Sequence, residues 1–472
     1  MKSLHTLLLI IIFTFSTFAQ KKLIKSIDSL LTGSFFDTTL VSVDIYNLTT
    51  KKSLYQKNQK LLMHPASNMK IYTSAAGLLY LGEDYEFTTS LYTNGMILNG
   101  ELLGNIFIKG GFDPDFVSEN FQYIIKVLKE IGINKINGNI LVDIERKDSL
   151  YWGNGWMWDD DPSTDFPYMS SLNVNDNAIT VIVKPGSLSE SAIVETIPST
   201  SFVSINNQAV TTSGSTKDLI ITRDFINRSN EIIIKGEISA GSNRIIERIN
   251  LIHPEEYFLV LLKEELARNE IPVTGELGLA TFDYEQLQPL MSIKRPFKDV
   301  IINLNKMSDN LSAEMTILAL SEKYLELPAS TFKGLKYVDS LIINAGFKPG
   351  NYRIVDASGI SHYNLVSAEL TLGILKLFYY KYPSLKRTLE NSFSFAGIDG
   401  TLRNRMKNGP AQNKVKAKTG TVSGVSALSG YAYAVNGDVF AFSIFVQNHF
   451  RKSQRVLEIQ NKICEMLAAY NG

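Results

Sequence analysis

The stretch from about residue 86 to residue 285 reads unlike either flank, and this constrains the fold more than any other feature. It consists of short β-branched runs, Ile106–Ile108, Ile140–Val142, Ile179–Val183, Leu219–Thr222 and Glu231–Ile234, with Asn, Gly and Ser between them. Short runs separated by turn formers are the pattern of β-domains rather than of βαβ units. Before the stretch, Val41, Val43 and Ile45 alternate with polar residues. The turn-rich segment 47–52 then leads to Leu54 and Tyr55, which reads as a hairpin. A helix is expected from Pro65-Ala66-Ser67 to about Leu81, stopped by Gly82. After about residue 295 helical spacing returns over Ser308–Tyr324, Ser330–Ala345 and Ser367–Tyr380. Val425–Phe450 reads as a long antiparallel hairpin turning at Val435-Asn436-Gly437-Asp438. Arg455–Tyr470 reads as a helix that lays Val456, Ile459, Ile463, Met466 and Leu467 on the core. A membrane-surface helix is the alternative, disfavoured by Glu458, Glu465 and the few basic residues. The residues alone thus indicate hairpins and helices on either side of a β-rich middle.

At 472 residues the chain has room for roughly three domains. Lys+Arg and Asp+Glu both number 47, so no basic surplus exists to neutralise a phosphate backbone, and a dedicated nucleic-acid binder is not expected. The lone Cys464 excludes an internal disulfide and a cysteine-cluster zinc site. His5, His64, His253, His362 and His449 are scattered without an H-E-x-x-H, so a zinc hydrolase is not expected. No metal or other cofactor is expected. Lys2, the apolar run Leu7–Phe13 and the small residue Ala19 read as a secretory signal over residues 1–19. The run is shorter than the ~20 residues a membrane span needs, and the mature chain is expected to carry no integral span. An envelope or periplasmic location follows.

Three short motifs carry chemistry. Ser67-Asn68-Met69-Lys70 is S-x-x-K, and positions i and i+3 share a helix face, so Lys70 can reach the Ser67 hydroxyl. A serine hydroxyl needs a base beside it to become a nucleophile. A lysine serves only when neutral, which near pH 7 means a drop of about three units, or roughly 4 kcal/mol, from its free value. Burial or a second cation pushes that way. A serine at a helix start also leaves its backbone N–H free to meet an oxyanion. The same pattern recurs at Ser330–Lys333, which reads as surface. Ser308-Asp309-Asn310 is S-x-N, a pattern shared with Ser171–Asn173 and Ser204–Asn206. It serves as a helix cap, a catalytic loop, or both. Lys418-Thr419-Gly420-Thr421 contains the chain's one K-T-G. It reads either as a turn with a solvated lysine or as a strand edge along which a substrate backbone can lie. All three tryptophans fall in YWGNGWMWDDDP (Trp152, Trp156, Trp158), beside Asp159–Asp161. That segment is either an aromatic plug or a substrate-facing loop.

Singly these motifs are ordinary. Their joint order, S-x-x-K, S-x-N, K-T-G, is the set found in serine penicillin-binding proteins and β-lactamases. The wide gap between the first two resembles the class C low-molecular-mass penicillin-binding proteins, the D-alanyl-D-alanine carboxypeptidase/endopeptidase family S13. The resemblance extends through HPASNMK around Ser67, IKGGFDPDF at 108–116, GWMWDDD at 155–161, VDASGISHYNLVS at 355–367, FAGIDGTLRNR at 395–405 and AKTGTVSGVSALSGY at 417–431. It implies the fold class α/β (α+β): a penicillin-binding/β-lactamase-like transpeptidase domain over 20–85 and 290–472, with an antiparallel sheet flanked by helices, plus two inserted mainly-β domains. It places the first of these over 86–170 and 250–289, and the second over 171–249.

The resemblance further implies roles. Ser67 attacks the carbonyl of the penultimate D-alanine to form an acyl-enzyme, and Lys70 takes its proton. Ser308 relays a proton to the leaving amine with the help of Lys70 and Lys418, and Asn310 holds the substrate amide. Lys418 and Thr419 grip the terminal carboxylate beside Gly420, and the N–H groups of Ser67 and Thr421 form the oxyanion hole. Asp160 is the counterpart of a residue that binds the stem-peptide side chain. Peptidoglycan stem peptides are the implied substrate, and β-lactams the implied covalent inhibitors. Two departures bear on peptide specificity: His362 stands where some relatives have arginine, and Ser423 where they have glutamine. The rival readings are a serine β-lactamase, for which no clear E-x-x-L-N is present, and a non-catalytic wall-binding protein on the same fold. An α/β-hydrolase esterase lacks its G-x-S-x-G here.

Overall fold

The computed structural model describes residues 19–324, 327–450 and 453–472. The expected targeting segment falls outside them except for Ala19, the first residue of a helix over 19–30. Among the described residues no helix is long and apolar enough to cross a membrane. The chain divides into two compact units: Met1–Tyr85, Phe297–Asp309 and Thr331–Gly472 form one, and Glu86–Pro296 with Asn310–Ser330 form the other.

The first unit is built on a six-stranded antiparallel sheet. Its strand order is Ser394–Phe395, Val415–Val422, Val425–Tyr433, Val439–Gln447, Leu40–Asn47, Lys52–Lys57. The two expected hairpins are therefore neighbours, meeting where Val43 pairs with Ile444, and Lys52–Lys57 is an edge strand. Alternation puts Val41, Val43, Ile45, Phe440, Phe442, Ile444 and Val446 in one core with Leu23 and Ile27 of the first helix and Val456, Ile459 and Ile463 of the last, Ser453–Ala468. Helix Ala368–Lys381, capped by the Ser367 hydroxyl, packs on the same sheet, and the Tyr431 hydroxyl donates to Leu375 O at 2.8 Å.

Asp44 lies within this sheet and is buried, with Glu369 and Lys376 acting on it. Burial raises its pKa from 3.8 to about 6. Between those values an unfolded chain ionises Asp44 while the folded one holds its proton, so this contribution to stability falls as pH rises and is fully lost above about 6. Asp44→Asn is therefore expected to unfold at higher denaturant than the parent at pH 8, by about 1–2 kcal/mol, with the difference vanishing near pH 4.

The second unit has a five-stranded sheet ordered Leu277–Ala280, Ile140–Asp143, Ile106–Lys109, Glu86–Thr93, Gln288–Pro296, together with three three-stranded sheets. It is mainly β, but the expectation of β-runs without βαβ units needs correction. Ile106–Lys109 and Ile140–Asp143 pair in parallel, and helix Phe121–Glu130 lies between them in the chain. Phe121, Ile124, Ile125 and Leu128 form its buried face, a 3.6-residue spacing that the neighbouring β-branched runs obscured. Helix Pro254–Arg268 likewise lies between parallel partners Ile140–Asp143 and Leu277–Ala280. One hydrophobic cluster includes Ile106, Ile140, Ile179 and Ile232. Pro296 pairs with Glu86, so the unit's chain leaves close to where it entered. In the first unit, Phe297 N–H donates to Tyr85 O at 2.7 Å.

Candidate active site

The segment carrying Ser67 is a single tight turn, Ala66–Asn68, running into helix Met69–Ala76, all of whose residues are buried. The helix continues as a wider turn to Leu81 and stops at Gly82 (φ +90°), as the glycine predicts. Ala66 adopts φ +46°, a left-handed conformation that costs an L-residue roughly 1–2 kcal/mol. Its surroundings hold it there. The Ala66 N–H donates to His64 Nδ1 at 3.1 Å, and the other ring nitrogen lies 2.8 Å from Ser361 O. A Cβ on Gly359 would sit 2.0 Å from Ala66 O, so only glycine fits beside the turn.

One helical turn past Ser67, the fully buried Lys70 amine donates to Ser67 Oγ at 3.1 Å and to Ser358 O at 2.8 Å. Thr73 Oγ1 donates to Ala357 O at 2.6 Å. The 357–359 backbone therefore runs along the helix that carries both groups. Asp356, itself buried, fixes that loop by accepting from Gly359 N, Ser361 N and Asn364 Nδ2 at 2.7–2.8 Å.

The K-T-G strand lies against the Ser67 turn. Asn68 Nδ2 donates to Lys418 O at 3.1 Å, and a Cβ on Gly420 would meet Pro65 O at 2.9 Å and Asn68 N at 3.0 Å. Glycine is required here by close approach. On one side Lys418–Val422 pairs with Val425–Ser429; on the other, Ser394 and Phe395 cover only Ala417 and Lys416. From Lys418 onward the strand is an edge, and Thr421 is exposed on it. The fully buried Lys418 amine donates to Ser308 Oγ at 2.8 Å and to Thr419 O at 2.9 Å, while Thr419 Oγ1 donates to Thr401 Oγ1 at 2.8 Å. Burial, and then the neighbouring Lys70 charge, push Lys418 well below the ordinary lysine range. Two buried amines in one site resist holding two protons.

The expected helix over Ser308–Tyr324 starts two residues late, at Asn310. Ser308 has φ +63° and ends the preceding segment, Asn303–Met307, so it sits in a kink between two helical stretches. The first unit thus gathers Ser67, Lys70, Ser308, Lys418, Thr419, Gly420 and Thr421. Asn310, two residues along the chain from Ser308, opens the helix Asn310–Tyr324 of the second unit, where its Nδ2 donates to Asp165 O at 2.5 Å. Asp160 is also in the second unit, where its Oδ2 accepts from Met157 N at 2.6 Å. Its neighbour Asp161 is buried, pairing with Arg223 and accepting from the Tyr168 hydroxyl at 2.9 Å. The tryptophans split: Trp152 and Trp156 form a cluster with Phe166 and Tyr168, whereas Trp158 is 72% exposed and stacks on Phe225.

Sequence reasoning assigned no role to His64, Asn68, Asp356, Ser358 or Thr401. The signal for Asp356 was present: aspartate followed three residues later by glycine marks a side chain that bonds its own backbone. The contacts of His64 and Ser358 join segments about three hundred residues apart, which no local pattern reports.

Comparison with known proteins follows the same outline. Residues 23–470 match the D-Ala-D-Ala carboxypeptidase 3 (S13) family. The D-alanyl-D-alanine carboxypeptidase DacB of Haemophilus influenzae is 25% identical over 449 residues, covering 95% of this chain and 92% of its own length. The D-alanyl-D-alanine carboxypeptidase of Actinomadura sp. (strain R39) is 28% identical over 464 residues, covering 95% and 85%. The crystal structure of penicillin binding protein 4 (dacB) from Haemophilus influenzae matches with a TM-score of 0.82 at 24% identity, over 93% of this chain and 100% of that one. The expected fold class is borne out by that likeness. Since the match runs through both units, from residue 23 to residue 470, the chain belongs to the D-Ala-D-Ala carboxypeptidase 3 (S13) family.

Proposed function

We propose that the protein is a serine D-Ala-D-Ala carboxypeptidase, with DD-endopeptidase capacity, that acts on peptidoglycan stem peptides through an acyl-enzyme on Ser67. The observation that carries this reading is the pairing of two buried lysines with two serines: Lys70 Nζ 3.1 Å from Ser67 Oγ, and Lys418 Nζ 2.8 Å from Ser308 Oγ. Lys70 receives the Ser67 proton as Oγ bonds the carbonyl carbon of the penultimate D-alanine. The C–N bond then breaks, and the departing amine takes a proton through Ser308. Water hydrolyses the ester and frees Ser67.

Among the described residues Lys418 is shown donating to Ser308 and Thr419 and to no carboxylate, and a substrate C-terminal carboxylate would supply a counter-charge at the strand edge, where a desolvated pair is stronger than at a surface. Asn310 holds the substrate amide, and the N–H groups of Ser67 and Thr421 receive the oxyanion. The Haemophilus influenzae relative has been crystallised with a β-lactam. A β-lactam presents the same amide and carboxylate, so it would acylate Ser67. Secretion to the cell envelope is part of the same reading, and fractionation of cells carrying the tagged protein tests it.

The test is mass spectrometry of the purified protein with benzylpenicillin and, separately, with a D-Ala-D-Ala pentapeptide and a cross-linked muropeptide. Expected are one penicillin adduct on Ser67, lost in Ser67→Ala, and release of one D-alanine. No adduct with no D-alanine release would support a wall-binding protein, and rapid multiple turnover of penicillin would support a β-lactamase. Asp160→Ala is expected to slow peptide hydrolysis about tenfold while leaving penicillin acylation within about twofold, the loss of a single polar substrate contact. Equal effects on both reactions would make Asp160 structural, through its bond to Met157.

A further inference from the structure

We propose that His64 is a positioning residue for acylation: a neutral imidazole, protonated on Nε2, holds the left-handed turn before Ser67, and protonation of its Nδ1 releases it. The inference rests on Ser67 being the acylated residue.

Two hydrogen bonds define the tautomer. His64 Nδ1 faces the Ala66 N–H at 3.1 Å and can only accept. Nε2 faces Ser361 O at 2.8 Å and can only donate. Both ring nitrogens are thus committed in the neutral form. The bond to Ala66 spans i to i+2, the same ring that an asparagine or aspartate side chain closes in an Asx-turn. It fixes Ala66 at φ +46°, and the next residue is Ser67. The bond to Ser361 ties the turn to the loop whose Ser358 O receives Lys70. His64 therefore links the segment carrying the nucleophile to the segment holding its base. Its own N–H is secured by Gln447 Oε1 at 3.1 Å.

A second proton on the ring would set N–H against the Ala66 N–H, deleting the acceptor and leaving a buried donor unpaired. The side chain is buried, and burial lowers its pKa from 6.5. The other groups acting on it come from the 356–364 loop: the Ser361 carbonyl and Asp356 raise the value, and His362, its ring centred 5.1 Å away, lowers it. The strand carrying Gln447 brings no charge to it. With the folded value below the unfolded one, the neutral clasp is present at neutral pH and is lost as pH falls through the folded value, below 6.5.

The test measures acylation of the full chain by a fluorescent penicillin between pH 4.5 and 8, separating the acylation rate constant from the dissociation constant of the pre-covalent complex. His64→Asn keeps an acceptor in the Asx position and does not titrate. It is expected to acylate within about fivefold of the parent at pH 7.5 and to move the acid limb down by at least one pH unit. His64→Leu removes the acceptor and is expected to lose at least tenfold in the rate constant at every pH, with the dissociation constant within twofold. An acid limb in His64→Asn that superimposes on the parent's would overturn the proposal, as would normal acylation in His64→Leu. If His64→Leu does not fold, the His64→Asn profile decides alone. Label retained in Ser67→Ala would instead overturn the reading of Ser67, whatever the His64 variants do.

Discussion

Lys70→Ala should reduce the acylation rate of Ser67 by about a thousandfold while leaving the protein folded, the range expected for loss of a positioned base. The amine is fully buried and donates to Ser67 Oγ and to Ser358 O. Among the described residues Lys70 is the amine shown within hydrogen-bonding distance of that hydroxyl. Lys418, the nearest candidate in chemistry, is committed to Ser308 and to Thr419 O. Acylation by penicillin followed by mass spectrometry gives the rate, and a thermal melt with and without ligand separates chemistry from folding. The melt should change little, because removing one buried amine also lightens the repulsion on Lys418. Acylation within tenfold of the parent would mean that the proton leaves by another route, with Ser308 and Lys418 the next groups to examine.

Gly359→Ala is expected to be the most damaging small substitution away from the reacting groups. A methyl there would lie 2.0 Å from Ala66 O and 2.7 Å from the Met69 Cβ, both set by backbone. Gly359 also has φ +87°, where a side chain is strained. Left-handed strain of about 1–2 kcal/mol adds to overpacking of about 1–3 kcal/mol, so a loss of about 2–5 kcal/mol is expected in denaturant unfolding. The function should suffer in parallel. The only relief is for the 66–67 turn and the 357–359 loop to part, which separates Ser67 from the loop that holds Lys70. A drop in acylation of at least a hundredfold is expected at a temperature where the variant is still folded. Gly437→Ala, a glycine with φ +89° and nothing near its Cβ, is the control: strained backbone, open space, and no effect on acylation.

The elements with strong local patterns were legible in the sequence. The stop at Gly82, the hairpin turn at 435–438 and the C-terminal helix all lie where periodicity and turn chemistry put them, because each is decided by neighbours within a few residues. Helix Phe121–Glu130 was missed for the opposite reason: its apolar face is short, and adjacent β-branched runs dominate the reading. The start of the helix at Asn310 was misplaced because Ser308 takes a left-handed backbone that its residue type does not demand. That kink faces the serine hydroxyl toward Lys418.

By itself the sequence determined which groups are available for chemistry and their order along the chain. It also determined that Lys70 must stand within reach of Ser67, since three residues of helix separate them whatever the rest of the chain does. Only the tertiary structure decided that Ser308 and Lys418 meet, that Gly420 must be small, and that His64 and Gly359 lie against the turn before Ser67. Those contacts join residues far apart in the chain. Their geometry is set by how a whole sheet and its helices pack, and a packing arrangement is a property of all the residues that share it rather than of any local run.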